Sequence, residues 1–217
     1  MANDMQDRLV KRHRILGIDP GTLLMGYAIL DSEGQHTETA LFDVLDVRKT
    51  DGQYARLQKE FFFLQELIDT HHPTCLAIET QFVDKNPQTM IKIVHAQGVA
   101  IAAALSRDLP VYEYPPMKIK MAITGNGHST KQQVADMLMR FLKLDIQVAG
   151  NRLSDGRPLD ATDALAIAYC HFLQLGLPFS AEHGAKNWTQ YAKQRGLAGP
   201  SEATPNQKLM AALAGRK

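Results

Sequence analysis

The sequence predicts an α/β fold, a mixed five-stranded sheet with helices on both faces, and three observations carry that expectation. Apolar runs of strand length recur at about residues 14–19, 26–31, 39–47, 74–79 and 109–114. The first three follow one another with only turn residues between them, the spacing of an antiparallel meander. From there on, strands alternate with stretches of helical periodicity, the order that joins further strands through helices.

"RILGID" reads as a buried strand, apolar up to Asp19, and Pro20-Gly21 turns the chain at once. "GYAILD" and "TALFDVLDV" are the next two strands, with Ser32-Glu33-Gly34 as the turn between them. Tyr54, Leu57, Phe61, Leu64, Leu67 and Ile68 recur at helical spacing between about Asp51 and His71, and Pro73 ends that helix. "TCLAIE" is a short strand that also ends on a carboxylate, Glu79. Asn86-Pro87 opens a helix that runs to about Arg107, with an Ala/Gly-rich half suited to close approach. "LPVYEY" returns as a strand, and Pro115-Pro116 starts a short helix, "MKIKMAI". "TGNGHST" is a glycine loop and "KQQVADMLMRFLKL" an amphipathic helix. The long connection "DIQVAGNRLSDGRPL" leads to a last helix, "DATDALAIAYCHFLQLG", stopped by Gly176 and Pro178. This order is the ribonuclease-H-like arrangement. The expected organisation is one such domain over residues 13–178, an N-terminal extension over 1–12 and a basic tail over 179–217.

A chain of 217 residues suits one domain with a tail, and 45% hydrophobic with 22% charged residues is ordinary for a globular protein. No apolar run approaches the roughly 18 residues of a membrane span. The start, "MANDMQDRLVKRHR", lacks the apolar core of a secretory signal. Cys75 and Cys170 each sit in an apolar stretch and read as buried thiols of a reducing compartment. The expectation is a soluble, cytoplasmic protein without a membrane partner. Net charge is only +1, but its distribution is uneven. Residues 16–81 hold 4 Lys+Arg against 11 Asp+Glu, residues 82–157 hold 10 against 6, and residues 183–217 hold 6 against 1. An acid-rich part beside base-rich parts suits a metal site flanked by phosphate-binding surface, and a solvated mixture of charges gives the same pattern.

Asp19, at the end of an apolar strand, has three readings: a solvated strand end, part of a nucleotide-phosphate cradle, or one ligand of a metal site. Glu79 ends a second apolar strand, and Asp160 and Asp163 open the last helix three residues apart, on one face. Adjacent parallel strands would bring Asp19 and Glu79 to the same sheet edge. Four carboxylates without interleaved cations repel one another, and divalent metal with oxygen ligands, Mg²⁺ or Mn²⁺, is the usual resolution. Two such ions suit hydrolysis of a phosphodiester. The bland readings are that Asp160 and Asp163 merely cap the helix and that Asp19 is a turn residue.

"GIDPGT", "LAIETQF", "EYPPMKIK", "GNGHSTK" and "DATDALAIA" stand in the order and rough spacing of the RuvC family of Holliday-junction resolvases. The chain resembles that family over about residues 13–176, and most of all its Bacteroidota versions in "KIKMAITGNG" and "QVADML". The resemblance implies a bacterial, nucleoid-associated homodimer that nicks two strands of like polarity across a four-way junction. It implies 5′-phosphate and 3′-hydroxyl ends, and two Mg²⁺ per site with Mn²⁺ able to substitute. Carried over by position, the catalytic, metal-holding acids are Asp19, Glu79, Asp160 and Asp163, with Lys120 and Lys131 near the scissile phosphate. Phe82 matches an aromatic that contacts unstacked bases, and Lys85, Lys118, Lys120 and Lys131 are the expected DNA-binding cations. The implied partner is a branch-migration complex of a junction-binding tetramer and a hexameric ATPase motor. Each of these residues has a plainer reading, a surface lysine or a core phenylalanine.

Three other classes start from the same residues. "GIDPGT" with "GYAIL" is similar to the first phosphate hairpin of actin-like ATPases and sugar kinases, which need a second such domain and a longer chain. Another nuclease or transposase of this fold would keep the acids. A non-catalytic junction-binding module would keep Phe82 and the lysines without needing four acids. His128 reads as a polar loop residue, Trp188 as a pin for the tail or a DNA contact, and the helix from Gln88 to Arg107 as part of a dimer interface or a core helix.

Overall fold

A computed structural model describes residues 12–34, 36–80, 87–149 and 152–175. The elements run β1 (His13–Asp19), β2 (Leu24–Glu33), β3 (His36–Asp46), α1 (Gln53–His71), β4 (Cys75–Glu79), α2 (Pro87–Leu105) and β5 (Val111–Tyr114). They continue with α3 (Pro116–Thr124), α4 (Lys131–Phe141), β6 (Val148–Ala149), β7 (Arg152–Leu153) and α5 (Asp160–Leu175). Five strands form one sheet in the order β3-β2-β1-β4-β5. The meander pairs antiparallel, whereas β1–β4 and β4–β5 pair parallel, as the connecting helices require. Phe82, Lys85 and Trp188 lie outside the described residues, as do both termini.

Period-two alternation sorts the strand residues between two cores. Ile15, Ala28, Leu30, Cys75, Ala77 and Tyr114 face α3, α4 and α5. Leu16, Ile18, Met25, Ile29, Leu76 and Ile78 face α1 and α2. Both cysteines are buried and free, in agreement with the composition argument. Among the described residues, no helix is long and apolar enough to cross a membrane.

Two expectations need correction. Ser32 and Glu33 do not form the turn between β2 and β3: both lie in β2, paired with Thr37 and His36. Cross-strand pairing extends the ladder beyond the apolar run, because backbone hydrogen bonding does not depend on apolar side chains, and Ser32 stays buried within it. The connection before α5 is not plain loop either, since it holds the small β6–β7 hairpin. Leu153 of that hairpin is buried, and the Arg157 guanidinium stacks 3.7 Å from the Phe42 ring centroid. The chain therefore reaches Asp160 anchored to β3.

Glu60 on α1 is 1% exposed, and its Oε2 has no hydrogen-bond partner. Burial pushes its carboxyl up to about 7, with Arg56 opposing. An acid that is more protonated folded than unfolded loses stability as pH rises between about 4.5 and 7. Glu60→Gln is therefore expected to stabilise the protein by about 1–3 kcal/mol at pH 8 and by little at pH 4.5, read by urea unfolding at both pH values. Equal gains at the two pH values would refute this origin.

Candidate active site

The parallel register of β1 and β4 pairs Leu16 with Leu76, Gly17 with Ala77 and Ile18 with Ile78, so Asp19 and Glu79 come next, side by side. Ile18 and Ile78 point to the α1–α2 core, and alternation turns both acids to the opposite face, where α5 lies. β5 stands beyond them, with Glu79 paired to Tyr114.

α5 brings the other two acids, and glycines let it approach. A Cβ on Gly17 would collide with the Ala164 carbonyl oxygen and touch the Ala168 methyl at 3.0 Å. A Cβ on Gly26, the β2 partner of Asp19, would stand 2.7 Å from the Asp160 carbonyl oxygen and 3.3 Å from the Ala164 methyl. The helix answers with small residues, Ala161, Ala164 and Ala168, all fully buried. At its far end the Tyr114 hydroxyl meets His171 Nδ1 at 2.6 Å, and burial holds that imidazole down to about 4. The first turn of α5 therefore sits over the ends of β1 and β4, with Asp160 and Asp163 in that turn.

Lys131 completes the cluster from α4. Its Nζ donates to Asp163 Oδ2 at 2.5 Å and to Asp160 Oδ1 at 3.3 Å. The helix start that carries it is held by a capping box: the Thr130 hydroxyl accepts from Gln133 N–H at 3.2 Å, and Gln133 Oε1 accepts from Thr130 N–H at 2.9 Å. Upstream, the hydroxyls of Thr124 and Ser129 meet at 2.8 Å across the glycine loop. Lys120, half-buried on α3, is close enough for its charge to act on Glu79 and Asp163. Lys118 is not part of this cluster: it lies over the Tyr114 ring, 5.2 Å from the centroid. His128 is an exposed loop residue.

The electrostatics are those of an acid cluster short of positive charge. Burial first, then Asp163 and Glu79, hold the Asp19 carboxyl well above its usual range. Burial and Asp163 push Glu79 up to about 7, against the pull of Lys131 and Lys120. Burial raises Asp163 as well, with Lys131 opposing. Burial pulls the Lys131 ammonium down, but the surrounding carboxylates outweigh it and keep the group charged. Among the described residues, no three carboxylate, imidazole or thiolate groups close into a metal cage by themselves. The Lys131 ammonium lies instead between the two α5 acids. The donor set, four carboxylates around a deficit of positive charge, nonetheless fits a hard divalent cation with oxygen ligands.

Sequence reasoning placed the four acids and two lysines but not the glycine seat for α5, nor the double contact of Lys131. Gly17 and Gly26 sit inside strands, where glycine is costly unless another backbone approaches closely, and that was the available signal.

Strand order, the acid pair at the ends of β1 and β4, and the acid-bearing helix define a ribonuclease-H-like nuclease fold. The profile described as Crossover junction endodeoxyribonuclease RuvC matches residues 15–171, and the chain belongs to that family. It is 48% identical over 185 residues to the Crossover junction endodeoxyribonuclease RuvC of Bacteroides fragilis, covering 84% of this chain and 93% of that one. The Porphyromonas gingivalis protein of the same name is 44% identical over 187 residues, covering 85% and 95%. Among solved structures, T. thermophilus RuvC in complex with Holliday junction substrate superposes with a TM-score of 0.67 at 28% identity. That match covers 76% of this chain and 95% of the Thermus one.

Proposed function

We propose that this chain resolves Holliday junctions, hydrolysing one phosphodiester in each of two symmetry-related strands and leaving 5′-phosphate and 3′-hydroxyl ends. The observation that carries the reading is the meeting of Asp19 and Glu79, side by side on parallel strands, with Asp163 of the overlying helix. Asp19, Glu79, Asp160 and Asp163 would hold two Mg²⁺ per site, or Mn²⁺ in their place. Those ions would supply Lewis acidity and charge neutralisation to the attacked phosphate.

The chain's own groups do the rest. Lys131 holds Asp160 and Asp163 in place before substrate arrives, and its exposed ammonium then meets the scissile phosphate. Lys120 approaches the same phosphate from α3. Lys118 and Lys85 bind the backbone, and Phe82 stacks on an unpaired base. The expected readout is paired, symmetric nicks in a synthetic four-way junction, none in the matched linear duplex, and none with EDTA. Tight junction binding without cutting would instead make the chain a binding module. Duplex or hybrid cutting would make it another nuclease of this fold.

A twofold junction needs two sites, so the working form is a homodimer. On α2, Ile91, Val94 and Leu105 stand exposed on one helical stripe, 55%, 43% and 52% open, and this stripe is the proposed dimer face. Ile91→Asp with Val94→Asp is expected to give monomers by analytical ultracentrifugation and to abolish paired nicking; a dimer that persists refutes the assignment. The branch-migration tetramer and hexameric ATPase motor are the proposed partners, and the bacterial nucleoid the proposed place of action.

A further inference from the structure

Helix α3 exposes an apolar strip between two lysines. Met117 and Met121 stand one turn apart, 57% and 51% exposed, while Ile119 and Ile123 form the buried face. At 3.6 residues per turn, Lys118 falls on one side of the strip and Lys120 on the other. The Lys120 side faces the carboxylates, since its charge acts on Glu79 and Asp163. Met117 also rests on the glycine loop that leads to Lys131: a Cβ on Gly127 would stand 2.5 Å from the Met117 Cγ. The segment that carries the strip and the glycine loop holds only positive charge. Between Glu113 and Asp136 the sequence holds Lys118, Lys120 and Lys131 and no acid.

A partner that fits both the lysines and the methionines must be a polyanion that also offers apolar faces. A continuous duplex does not, because its base faces are stacked; a branch point does, because bases unstack there. Thioethers suit such a contact, being flexible, polarisable and favourable against aromatic rings.

We propose that Met117 and Met121 pack against a base face exposed at the branch point and so help select a junction over duplex. This rests on the junction-cleaving reading above and adds a specificity contact to it. The strip lies one lysine away from the acids, so a base seated there is held close to the phosphate that Lys120 and Lys131 meet.

Oxidation footprinting of the full chain tests this. Dilute hydrogen peroxide is applied to the protein alone, with a four-way junction, and with linear duplex. EDTA keeps the strands intact, and binding is measured by anisotropy in the same samples. Buried Met25 and Met139, 0% and 4% exposed, serve as slow internal standards. Met117 and Met121 are expected to oxidise fast in the protein alone. The junction should slow both at least about fivefold, and duplex at equal occupancy should not. Slow oxidation in the protein alone would overturn the proposal, because another segment or a second copy already covers the strip. Equal protection by duplex would overturn it too, as plain backbone contact. A junction that binds and is cut yet leaves both methionines unprotected sinks this inference alone, whereas failure to bind a junction sinks the functional reading with it. In parallel, Met117→Ser with Met121→Ser should lower the junction-over-duplex affinity ratio about tenfold, the order of one lost base contact. An unchanged ratio contradicts the proposal.

Discussion

Asp19→Asn is expected to slow junction nicking at least ~1000-fold, a loss of about 4 kcal/mol of transition-state stabilisation, while junction binding survives. The same change should make the EDTA-treated protein more stable. Burial first, then Asp163 and Glu79, hold the Asp19 carboxyl above its usual range in the folded chain, so the fold carries the cost of ionising it. The unfolded chain ionises Asp near pH ~3.9, so the stability lost to Asp19 grows as pH rises above that value. Asn removes this cost, and the gain should be present at pH 8 and absent at pH 3.5. Thermal unfolding at both pH values, beside single-turnover cleavage, reads the two effects together. A variant that is inactive yet no more stable at pH 8 would mean that the acids are not in electrostatic conflict without metal. Lost activity from mere unfolding would show as a lowered midpoint at both pH values.

The second large effect is steric. Gly17→Ala is expected to cost about 3 kcal/mol or more, because the added methyl meets a helix backbone that has nowhere to go. For a domain of this size that corresponds to a fall in the melting midpoint of roughly 6–12 °C. Cleavage should fall further than folding does, since whatever lifts α5 moves Asp160 and Asp163 away from Asp19 and Glu79. Gly26→Ala tests the neighbouring contact: it presses on the Asp160 carbonyl itself, so it should reduce cleavage even where the chain remains folded. A Gly17→Ala protein with unchanged midpoint and activity would show that α5 does not need this seat.

Burial patterns made most of the fold legible beforehand. Unbroken apolar runs marked β1 and β4, and helical spacing marked α1, because burying one face requires those patterns. The long connection before α5 was illegible for the same reason: among its described residues only Leu153 and Leu159 are buried, and turns and Arg157 on Phe42 hold its second half. The turn between β2 and β3 was misplaced because Ser32 and Glu33 look like turn residues, while strand pairing with Thr37 and His36 overrode that local preference.

By itself the sequence determined which acids exist, that Asp19 and Glu79 end apolar strands, and that Asp160 and Asp163 share a helix face. Strand alternation and helix periodicity are local, and three residues of spacing suffice to express them. Only the tertiary structure decided that these acids meet. The parallel register that puts Asp19 beside Glu79, 60 residues on, depends on α1 packing across the sheet. The reach of Lys131 to Asp160 and Asp163, 29 and 32 residues away, depends on where α4 and α5 pack. The closeness of α5 depends on Gly17 and Gly26 lacking a single carbon each. Such long-range coincidences are products of packing, in which each element takes its place from the surfaces of the others.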